Sequence, residues 1–322
     1  MTPLQTGDRL DRYRLEALVA RSGMASIFRA TDLHTGRQFA IKVPHPEAEC
    51  DVAFFERFQR EARICREMDH AGVVKAMNQE SQSRVYMVLE WVEGWLLREV
   101  LAEEGSLPPE RATRIALAIC GALDHIHARG VVHRDLKPEN VMIDAEDRVK
   151  LIDFGIGAKA GARRLTFGKL SNIMGTPEYI SPEQVEGKRG DARSDLYALG
   201  IMLYEMLTGT TPFRGSNPFA VMNARLKTAP VPAREAAPDL SPQLDFILSR
   251  ALERNPGCRY GSALEFAYDL EHQDRVGLAW RAAPGGRESR RQPLPKAVLF
   301  YGALAALPVM IFALMLYVAR IG

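Results

Sequence analysis

Short apolar stretches near the start of the chain predict a group of β-strands. They are separated by turn residues such as Thr35-Gly36, which favour tight connections between strands. The predicted strands are Tyr13–Val19, Ser26–Asp32, Arg37–Val43 and, further on, Val85–Leu89. Apolar residues at helical spacing follow or interrupt these strands. They predict the helices Ala53–Met68, Pro109–Arg129, which stops at Gly130, and Ser194–Thr208, which is capped by Ser194 and stops at Gly209.

Length and composition allow a large hydrophobic core. The chain has 322 residues, of which 47% are hydrophobic, so we expect two domains or one two-lobed domain. The net charge of +2 gives no general signature of nucleic-acid binding. The four cysteines (Cys50, Cys65, Cys120 and Cys258) are far apart, which is typical of core residues in a reducing compartment. The polar stretch Met1–Leu10 shows no signal peptide.

The octet His133–Asn140 lies between two apolar stretches and therefore predicts a loop inside a folded core. A solvated turn is the simpler alternative. The spacing of Asp135 and Asn140 resembles the catalytic loop of eukaryotic-type (Hanks-type) serine/threonine protein kinases. The resemblance implies that Asp135 orients the acceptor hydroxyl and takes its proton, that Lys137 contacts the transferring phosphate and that Asn140 holds Mg²⁺.

The stretch Phe39–Lys42 resembles the Val-Ala-Ile-Lys strand of the same family. In the next predicted helix, Glu61 lies along the apolar face, where an unpaired carboxylate is costly. Lys42 is its expected partner, and the resemblance gives this pair the task of orienting the α- and β-phosphates of ATP. Arg57 or Arg60 is the alternative partner.

The family's glycine-rich loop is altered in this chain. At the pattern Gly-x-Gly-x-x-Gly the sequence has Ala20, Ser22 and Ala25, and only the adjacent Gly23 is a glycine. Glycine lets the backbone approach phosphate closely and adopt positive φ angles. Alanine and serine are the least obstructive substitutes, so we expect the loop to close but to bind nucleotide more weakly or in a different shape.

The rest of the nucleotide site follows from the resemblance. The backbone of Glu90 and Val92 corresponds to the hinge that pairs with adenine, and Leu89 guards the deeper pocket. Side chains expected to enclose the base are Ile27, Ala40, Met142 and Ile152. Each of these aliphatic residues is equally consistent with plain core. Asp153, in an Asp-Phe-Gly sequence after the strand Val149–Ile152, resembles the aspartate that binds Mg²⁺.

A long stretch without helical or strand periodicity, Ile156–Ile180, resembles the activation segment of the family. It contains Thr166 and Ser171, which are candidate phosphorylation sites or ordinary loop hydroxyls. The resemblance implies that Arg134 pairs with a phosphate there and orders the segment. It also gives structural tasks to Thr176, which bonds back to the catalytic Asp and Lys, to Asp195, which holds the catalytic loop, and to Glu183 with Arg259, which form a buried ion pair.

The C-terminal part predicts a membrane anchor. Ala297–Ala319 has no charged residue and, at about 1.5 Å per residue, spans a hydrocarbon core of roughly 30 Å. A buried core helix is the alternative. Basic residues dominate the preceding linker, 273–296, so the positive-inside rule places the kinase domain in the cytoplasm. Only Arg320–Gly322 is then expected beyond the membrane, with no external sensor domain.

The sequence therefore predicts an α+β, two-lobed protein kinase fold over residues 13–272, with a small β-rich N-lobe (13–90) and a large helical C-lobe (95–272), plus one transmembrane helix. Gly23-Met24 and Ser181-Pro182-Glu183-Gln184 resemble the bacterial branch of the family. The expected protein is a serine/threonine protein kinase on the inner membrane that uses ATP with Mg²⁺ or Mn²⁺.

Its expected partners are proteins with Ser or Thr acceptors and, transiently, a second copy of the chain for autophosphorylation in trans; nucleic acid is not expected. Two other functions compete with this one. A pseudokinase scaffold is favoured by the altered glycine loop but opposed by the complete set Lys42, Glu61, Asp135, Asn140 and Asp153. A small-molecule phosphotransferase would lack the long activation segment and the Glu183–Arg259 pair.

Overall fold

A computed structural model describes residues 4–49, 51–78, 82–153 and 177–277. The strands are β1 (Arg9–Leu10), β2 (Tyr13–Arg21), β3 (Ala25–Asp32), β4 (Gln38–Pro44), β5 (Met87–Glu90), β6 (Trp95–Leu96), β7 (Val141–Ile143) and β8 (Val149–Leu151). The helices are α1 (Pro46–Glu49), α2 (Val52–Glu67), α3 (Leu97–Glu104), α4 (Pro109–His127), α5 (Pro182–Val185), α6 (Ala192–Thr208), α7 (Pro218–Lys227), α8 (Ala233–Ala236), α9 (Pro242–Ala251) and α10 (Ala263–Glu271). Short 3₁₀ turns lie at Pro138–Asn140, Pro177–Tyr179, Pro256–Cys258 and Gln273–Arg275.

The first five strands form one antiparallel sheet in chain order. Side chains alternate across it, because successive residues of a strand point to opposite faces. One face buries a hydrophobic cluster that includes Tyr13, Phe28 and Ile41. The opposite face carries Lys42, which lies across from Ile27 in β3, and is only half-buried. The sheet thus presents one closed face and one face that is available to a ligand.

A second, larger core joins α2 to the helical part of the chain. It contains Phe58 and Cys65 of α2 together with side chains of α4, α6, α9 and α10. The predicted stripe of α4 is fully buried: Ile115, Ile119, Leu123 and Ile126. This arrangement gives the predicted pair of lobes, one built on a sheet and the other on helices.

A three-stranded sheet of β6, β7 and β8 supports the loop that precedes β7. Between β5 and β6 the chain passes very close to β7. Gly94 has φ 135°, and a β-carbon there would lie 2.3 Å from the carbonyl oxygen of Ile143. Only glycine fits this crossing, which places the β5–β6 connection directly against the strand that follows the catalytic loop.

The structure differs from the sequence-based predictions in several details. The cap of α6 is Asp191, whose side chain accepts from the Arg193 N–H, and not Ser194, which is buried inside the helix. Helix α4 ends at His127, two residues earlier than predicted. Cys258 is exposed, whereas Cys65 and Cys120 are buried as expected.

Some predictions fall outside the described residues. Among them are Thr166, Ser171 and Thr176, as well as Cys50 and the segment 297–319. Within the described ranges, no helix combines the length and hydrophobicity needed to cross a membrane. The chain divides into two units, 1–276 and 277–322, and the elements given above all belong to the first.

Candidate active site

Lys42 lies at the centre of the site and contacts two carboxylates. Its ammonium group donates to Glu61 Oε1 at 2.7 Å and to Asp153 Oδ1 at 3.2 Å. Strand β4 supplies the lysine and helix α2 the glutamate, while Asp153 follows β8. The expected Lys42–Glu61 pair is therefore present, and it connects directly to the expected metal ligand.

Burial controls the protonation of this cluster. It raises the pKa of Glu61 to about 8, although the Lys42 ammonium acts in the opposite direction. Burial also acts on Asp153, but there the ammonium of Lys42 prevails and lowers the pKa overall. One ammonium group is shared by the buried Glu61 carboxylate and by the Asp153 carboxylate, whose side chain is 43% exposed. The cluster therefore retains affinity for a further positive charge, either a proton or a metal cation.

The catalytic loop holds Asp135 between two polar side chains, Lys137 and Asn140. Lys137 Nζ donates to Asp135 Oδ2 at 2.7 Å. The Asn140 amide donates to the carbonyl oxygen of Asp135 at 2.7 Å and reaches its Oδ2 at 3.2 Å. The Asp135 side chain is 41% exposed, so its carboxylate is both oriented and accessible to an incoming hydroxyl.

The backbone of this loop is fixed by Asp195, as expected. The buried carboxylate accepts the N–H of His133 at 2.8 Å and the N–H of Arg134 at 2.7 Å. His127 Nε2 lies 2.8 Å from the same carboxylate. Arg134 has φ 66°, which is uncommon for a residue other than glycine and requires support from its surroundings.

The residues expected to bind a metal fit Mg²⁺. Because the Asn140 Nδ2 atom is directed to Asp135, its Oδ1 atom remains available as a hard oxygen ligand. Asp153 supplies a carboxylate. Ile152, the residue before Asp153, donates its N–H to the Asn140 carbonyl at 3.1 Å, so the two expected metal ligands lie on adjoining stretches of backbone. Across the described ranges no group of three or more His, Cys, Asp or Glu side chains is arranged as a metal site. Mg²⁺ commonly binds in this way, through one or two protein ligands, phosphates and water.

The altered glycine loop forms a tight turn that is closed by Ser22. The Ser22 hydroxyl donates to the Ala25 carbonyl at 3.1 Å and accepts the N–H groups of Met24 (3.3 Å) and Ala25 (3.1 Å). These are the kind of N–H groups that bind phosphate in a glycine-rich loop. Ala20 pairs with Ile27 across the hairpin, and a β-carbon on Gly23 would meet no atom within 4 Å.

The expected base-binding residues share one environment. Each of them is half-buried, as the walls of an open cleft are: Ile27, Ala40, Met142, Ile152, Glu90 and Val92. The Glu90 N–H donates to the Lys75 carbonyl at 2.9 Å. The Glu90 side chain accepts from Lys150 Nζ at 2.6 Å, so it points away from the expected base site.

The expected pair of Glu183 and Arg259 is present and bidentate. Arg259 Nη1 donates to Oε1 at 2.8 Å and Nη2 to Oε2 at 2.7 Å. Ser194 Oγ adds a third hydrogen bond to Glu183 Oε1, at 2.7 Å. Burial opposes ionisation of this carboxyl group, but Arg259 and Ser194 lower the pKa of Glu183 overall. The pair anchors the end of the activation segment to the helical lobe.

Sequence reasoning missed two groups of functional interest. The side-chain amide of Gln184 donates to the Arg134 carbonyl at 3.0 Å. Arg98 of α3 contacts Glu139 of the catalytic loop, Glu205 and the hydroxyl of Tyr179. Neither contact leaves a local signal, because the partners are 41 to 107 residues apart in the chain.

Comparison with known proteins places this geometry in context. Residues 13–269 match the family model described as protein kinase domain. A probable serine/threonine-protein kinase of Corynebacterium efficiens is 38% identical over 292 residues, which are 88% of this chain and 44% of the relative. The serine/threonine-protein kinase PknB of Mycobacterium tuberculosis is 37% identical over 306 residues, 89% of this chain and 49% of the relative.

Solved structures give the same picture. The crystal structure of the PknI kinase domain of Mycobacterium tuberculosis matches with a TM-score of 0.65 and 28% identity. The match covers 84% of this chain and all of that domain. The chain spans less than half the length of the two curated relatives.

Proposed function

This chain belongs to the protein kinase domain family, and we propose that it transfers the γ-phosphate of ATP to serine and threonine hydroxyls of proteins. The three-way contact of Lys42 with Glu61 and Asp153 carries this proposal. It brings together the groups that position the phosphates and the metal in phosphoryl transfer. A scaffold without catalysis has no need for this contact, which therefore argues against the pseudokinase alternative.

Each residue of the site has a separate role in the proposed reaction. Lys42, held by Glu61, binds the α- and β-phosphates, while Asp135 orients the acceptor hydroxyl and takes its proton. Lys137, 2.7 Å from the Asp135 carboxylate, offers its ammonium group to the transferred phosphate. Acceptance of Ser and Thr rather than Tyr is supported by Lys137 and, through the resemblance, by Thr176.

Asn140 and Asp153 would hold Mg²⁺, with Mn²⁺ as a substitute, since both offer oxygen ligands beside the phosphate-binding lysine. When bound, the cation neutralises charge on the phosphates of ATP. Ile27, Ala40, Met142 and Ile152 would enclose the base. The Ser22 turn, with Ala20, Gly23 and Ala25, would cover the phosphates.

Regulation by phosphorylation of the activation segment is part of the proposal, with Thr166 or Ser171 as the acceptor. Its support is an excess of positive charge around Arg134. Burial lowers the pKa of the Arg134 guanidinium, and the neighbouring Arg189 and Arg60 guanidiniums lower it further, although Asp195 opposes them. A phosphate beside these three arginines would relieve their repulsion and order the segment.

We also propose that the segment 297–319 anchors the kinase domain to the cytoplasmic face of the inner membrane. The support is its uncharged sequence and the basic linker before it. Tethering raises the effective concentration of neighbouring copies, which favours transient homodimers and autophosphorylation in trans. Autophosphorylation that does not depend on dilution of the chain within vesicles would contradict the trans step.

Phosphosite mapping tests the proposed acceptor class. The full chain is incubated with ATP and Mg²⁺, and modified residues are located by mass spectrometry, beside an unincubated control. We expect phosphoserine and phosphothreonine, including Thr166 or Ser171. Phosphotyrosine alone would refute the Ser/Thr assignment, and phosphate only at other Ser or Thr residues would refute the activation-segment switch.

A further inference from the structure

The side-chain amide of Gln184 connects the end of the activation segment to the catalytic loop. Its Oε1 atom accepts the Ser181 N–H at 3.0 Å and the Ser181 hydroxyl at 2.9 Å. Its Nε2 atom donates to the carbonyl oxygen of Arg134 at 3.0 Å. One side chain thus contacts both the N-terminal cap of α5 and the residue that precedes Asp135.

The hydrogen-bond partners of Gln184 determine which atom of its amide is the oxygen and which is the nitrogen. The Ser181 N–H requires an acceptor, and the Arg134 carbonyl requires a donor. A primary amide supplies both, whereas a carboxylate supplies acceptors alone. The aliphatic part of Gln184 lies beside Gly190, where an added β-carbon would approach its Cγ atom to 3.3 Å.

The carbonyl that Gln184 binds belongs to a strained residue. Arg134 has φ 66°, a conformation that is unfavourable for a residue other than glycine unless its surroundings determine it. Asp195 holds the N–H side of Arg134 at 2.7 Å, and Gln184 holds its carbonyl side. That carbonyl is part of the peptide group that continues into Asp135, so its direction sets the orientation of the catalytic aspartate.

We propose that Gln184 is a positioning residue for Asp135. Its amide connects the N-terminal cap of α5 to the peptide group that precedes the catalytic carboxylate. This inference rests on the proposed kinase function and deepens it, because it gives the Ser-Pro-Glu-Gln sequence a second task beside the Glu183–Arg259 ion pair. Gln184 touches neither nucleotide-binding nor metal-binding residues in these contacts, so its effect should appear in turnover.

The test uses the isosteric substitution Gln184→Glu in the full chain. Glutamate keeps the acceptor for Ser181 but replaces the donor with a second oxygen that faces the Arg134 carbonyl. We expect kcat to fall about tenfold to a hundredfold, since small displacements of reacting groups have effects of this size. KM for ATP and the thermal midpoint should stay close to those of the wild type.

Two further variants separate positioning from packing. Gln184→Met removes the donor without adding charge and should also lower kcat at unchanged KM for ATP. Ser181→Ala removes one partner of the Oε1 atom, leaves the contact with Arg134 in place, and should keep kcat near the wild-type value. A loss in Ser181→Ala equal to that in Gln184→Glu would overturn the inference, because the cap of α5 would then be responsible.

The outcomes also separate this inference from the proposed function. If the wild type is active and Gln184→Glu and Gln184→Met are equally active, the positioning role is refuted and the proposed function stands. A fall in kcat that is explained by a lower thermal midpoint also refutes the positioning role. If the wild type transfers no phosphate, the proposed function fails. Hydrogen exchange of the peptide that contains residues 133–140 then decides: faster exchange in Gln184→Glu supports the positioning contact, and unchanged exchange refutes it.

Discussion

At the scale of single residues, Lys42 has the largest effect on the site because one ammonium group serves two carboxylates. Its contacts at 2.7 Å and 3.2 Å join an element of the sheet, a helix and the residue after β8. Burial raises the pKa of Glu61 to about 8 even with this ammonium present, and loss of the ammonium would raise the pKa of Glu61 further. We therefore expect the lysine to matter more for binding the phosphates of ATP than for folding.

Replacing this lysine tests that distinction. In Lys42→Met we expect phosphate transfer to fall about a hundredfold or more, because the α- and β-phosphates lose their positioning charge. The free energy of unfolding should fall by no more than about 2 kcal/mol, since protonation of Glu61 removes one unpaired charge and the Asp153 side chain, 43% exposed, is solvated by water. Transfer of labelled phosphate and urea denaturation measure the two quantities. Lys75→Met, at an exposed ion pair, is the control and should change neither; undiminished transfer in Lys42→Met would contradict the account.

Glu183 gives a prediction for pH. Its pKa in the folded protein lies below the ordinary 4.5, so its stabilising effect is complete above pH 4.5 and is lost as the pH falls through the folded value. Glu183→Gln should lower the free energy of unfolding at pH 7 by about 3–5 kcal/mol, because Arg259 stays buried without its counter-charge. Denaturation curves at several pH values should show this difference shrinking below pH 4.5.

A surface glutamate provides the matched comparison. Glu186 pairs with Lys188 in solvent, and Glu186→Gln should change the free energy of unfolding by less than about 1 kcal/mol. A difference between wild type and Glu183→Gln that stays constant down to pH 3 would mean that the ionisation of Glu183 does not contribute to stability.

Single residues differed in how far the sequence could predict them. The partner of Glu61 was predictable, because a carboxylate on an apolar helical face needs a cation and Lys42 lies on an adjacent predicted strand. The pair Glu183–Arg259 followed from family resemblance alone, since 76 residues separate its members. The contact of Gln184 with Arg134 was not predictable. It depends on the direction of one amide and on a positive φ angle, and neither leaves a pattern in the sequence.

At the scale of elements, the turn between β2 and β3 shows what the loss of glycines changes. The Ser22 hydroxyl occupies the N–H groups of Met24 and Ala25 that would otherwise be available to phosphate. The sequence predicted a closed turn with altered nucleotide binding. It did not predict the hydrogen bonds within the turn, because a serine at this position is equally consistent with an exposed hydroxyl.

Removing this hydroxyl should improve nucleotide binding. In Ser22→Ala the two N–H groups become free, and we expect KM for ATP to fall about threefold to tenfold, as one or two hydrogen bonds would allow. Steady-state kinetics at varied ATP measures the effect. Thr35→Ala is the control, because the Thr35 hydroxyl accepts the Arg37 N–H in the neighbouring turn, away from the phosphates. A higher KM for ATP in Ser22→Ala would show instead that the hydroxyl holds the loop in its binding shape.

At the start of α6, the preference of serine for helix caps led to a wrong prediction. Ser194 is a good capping residue, yet Asp191 caps the helix three residues earlier. Ser194 is buried because its hydroxyl is needed by Glu183, a partner from another element. Tertiary contacts thus decided a boundary that local preference alone placed too late.

At the scale of the whole molecule, the sheet and the helices are joined by a shared core and by the Lys42–Asp153 contact. The two-lobed arrangement was predictable because the motifs of the family occur in order along most of the chain. Attachment to a membrane is a separate proposal that rests on the composition of 297–319 alone. This proposal concerns the localisation of the kinase domain and not its fold.

Cell fractionation tests this attachment. We expect the full chain in the membrane fraction, resistant to alkaline carbonate, and a chain that ends at Lys296 in the soluble fraction. An arginine near the centre of the segment, in Ala306→Arg, should weaken insertion, because it costs about 2.5–3.5 kcal/mol at that depth. Recovery of the full chain in the soluble fraction would contradict the anchor and leave the kinase assignment untouched.

The most direct test of the central claim compares the wild type with Asp135→Asn. Both full chains are supplied with Mg²⁺ and γ-labelled ATP, and ATP binding is measured in parallel. We predict labelled serine or threonine in the wild type and a loss of about a hundredfold or more in Asp135→Asn, with ATP affinity retained, because Asp135 serves the acceptor hydroxyl and not the nucleotide. Equal labelling of both proteins, or no labelling of a wild type that binds ATP, would contradict the account.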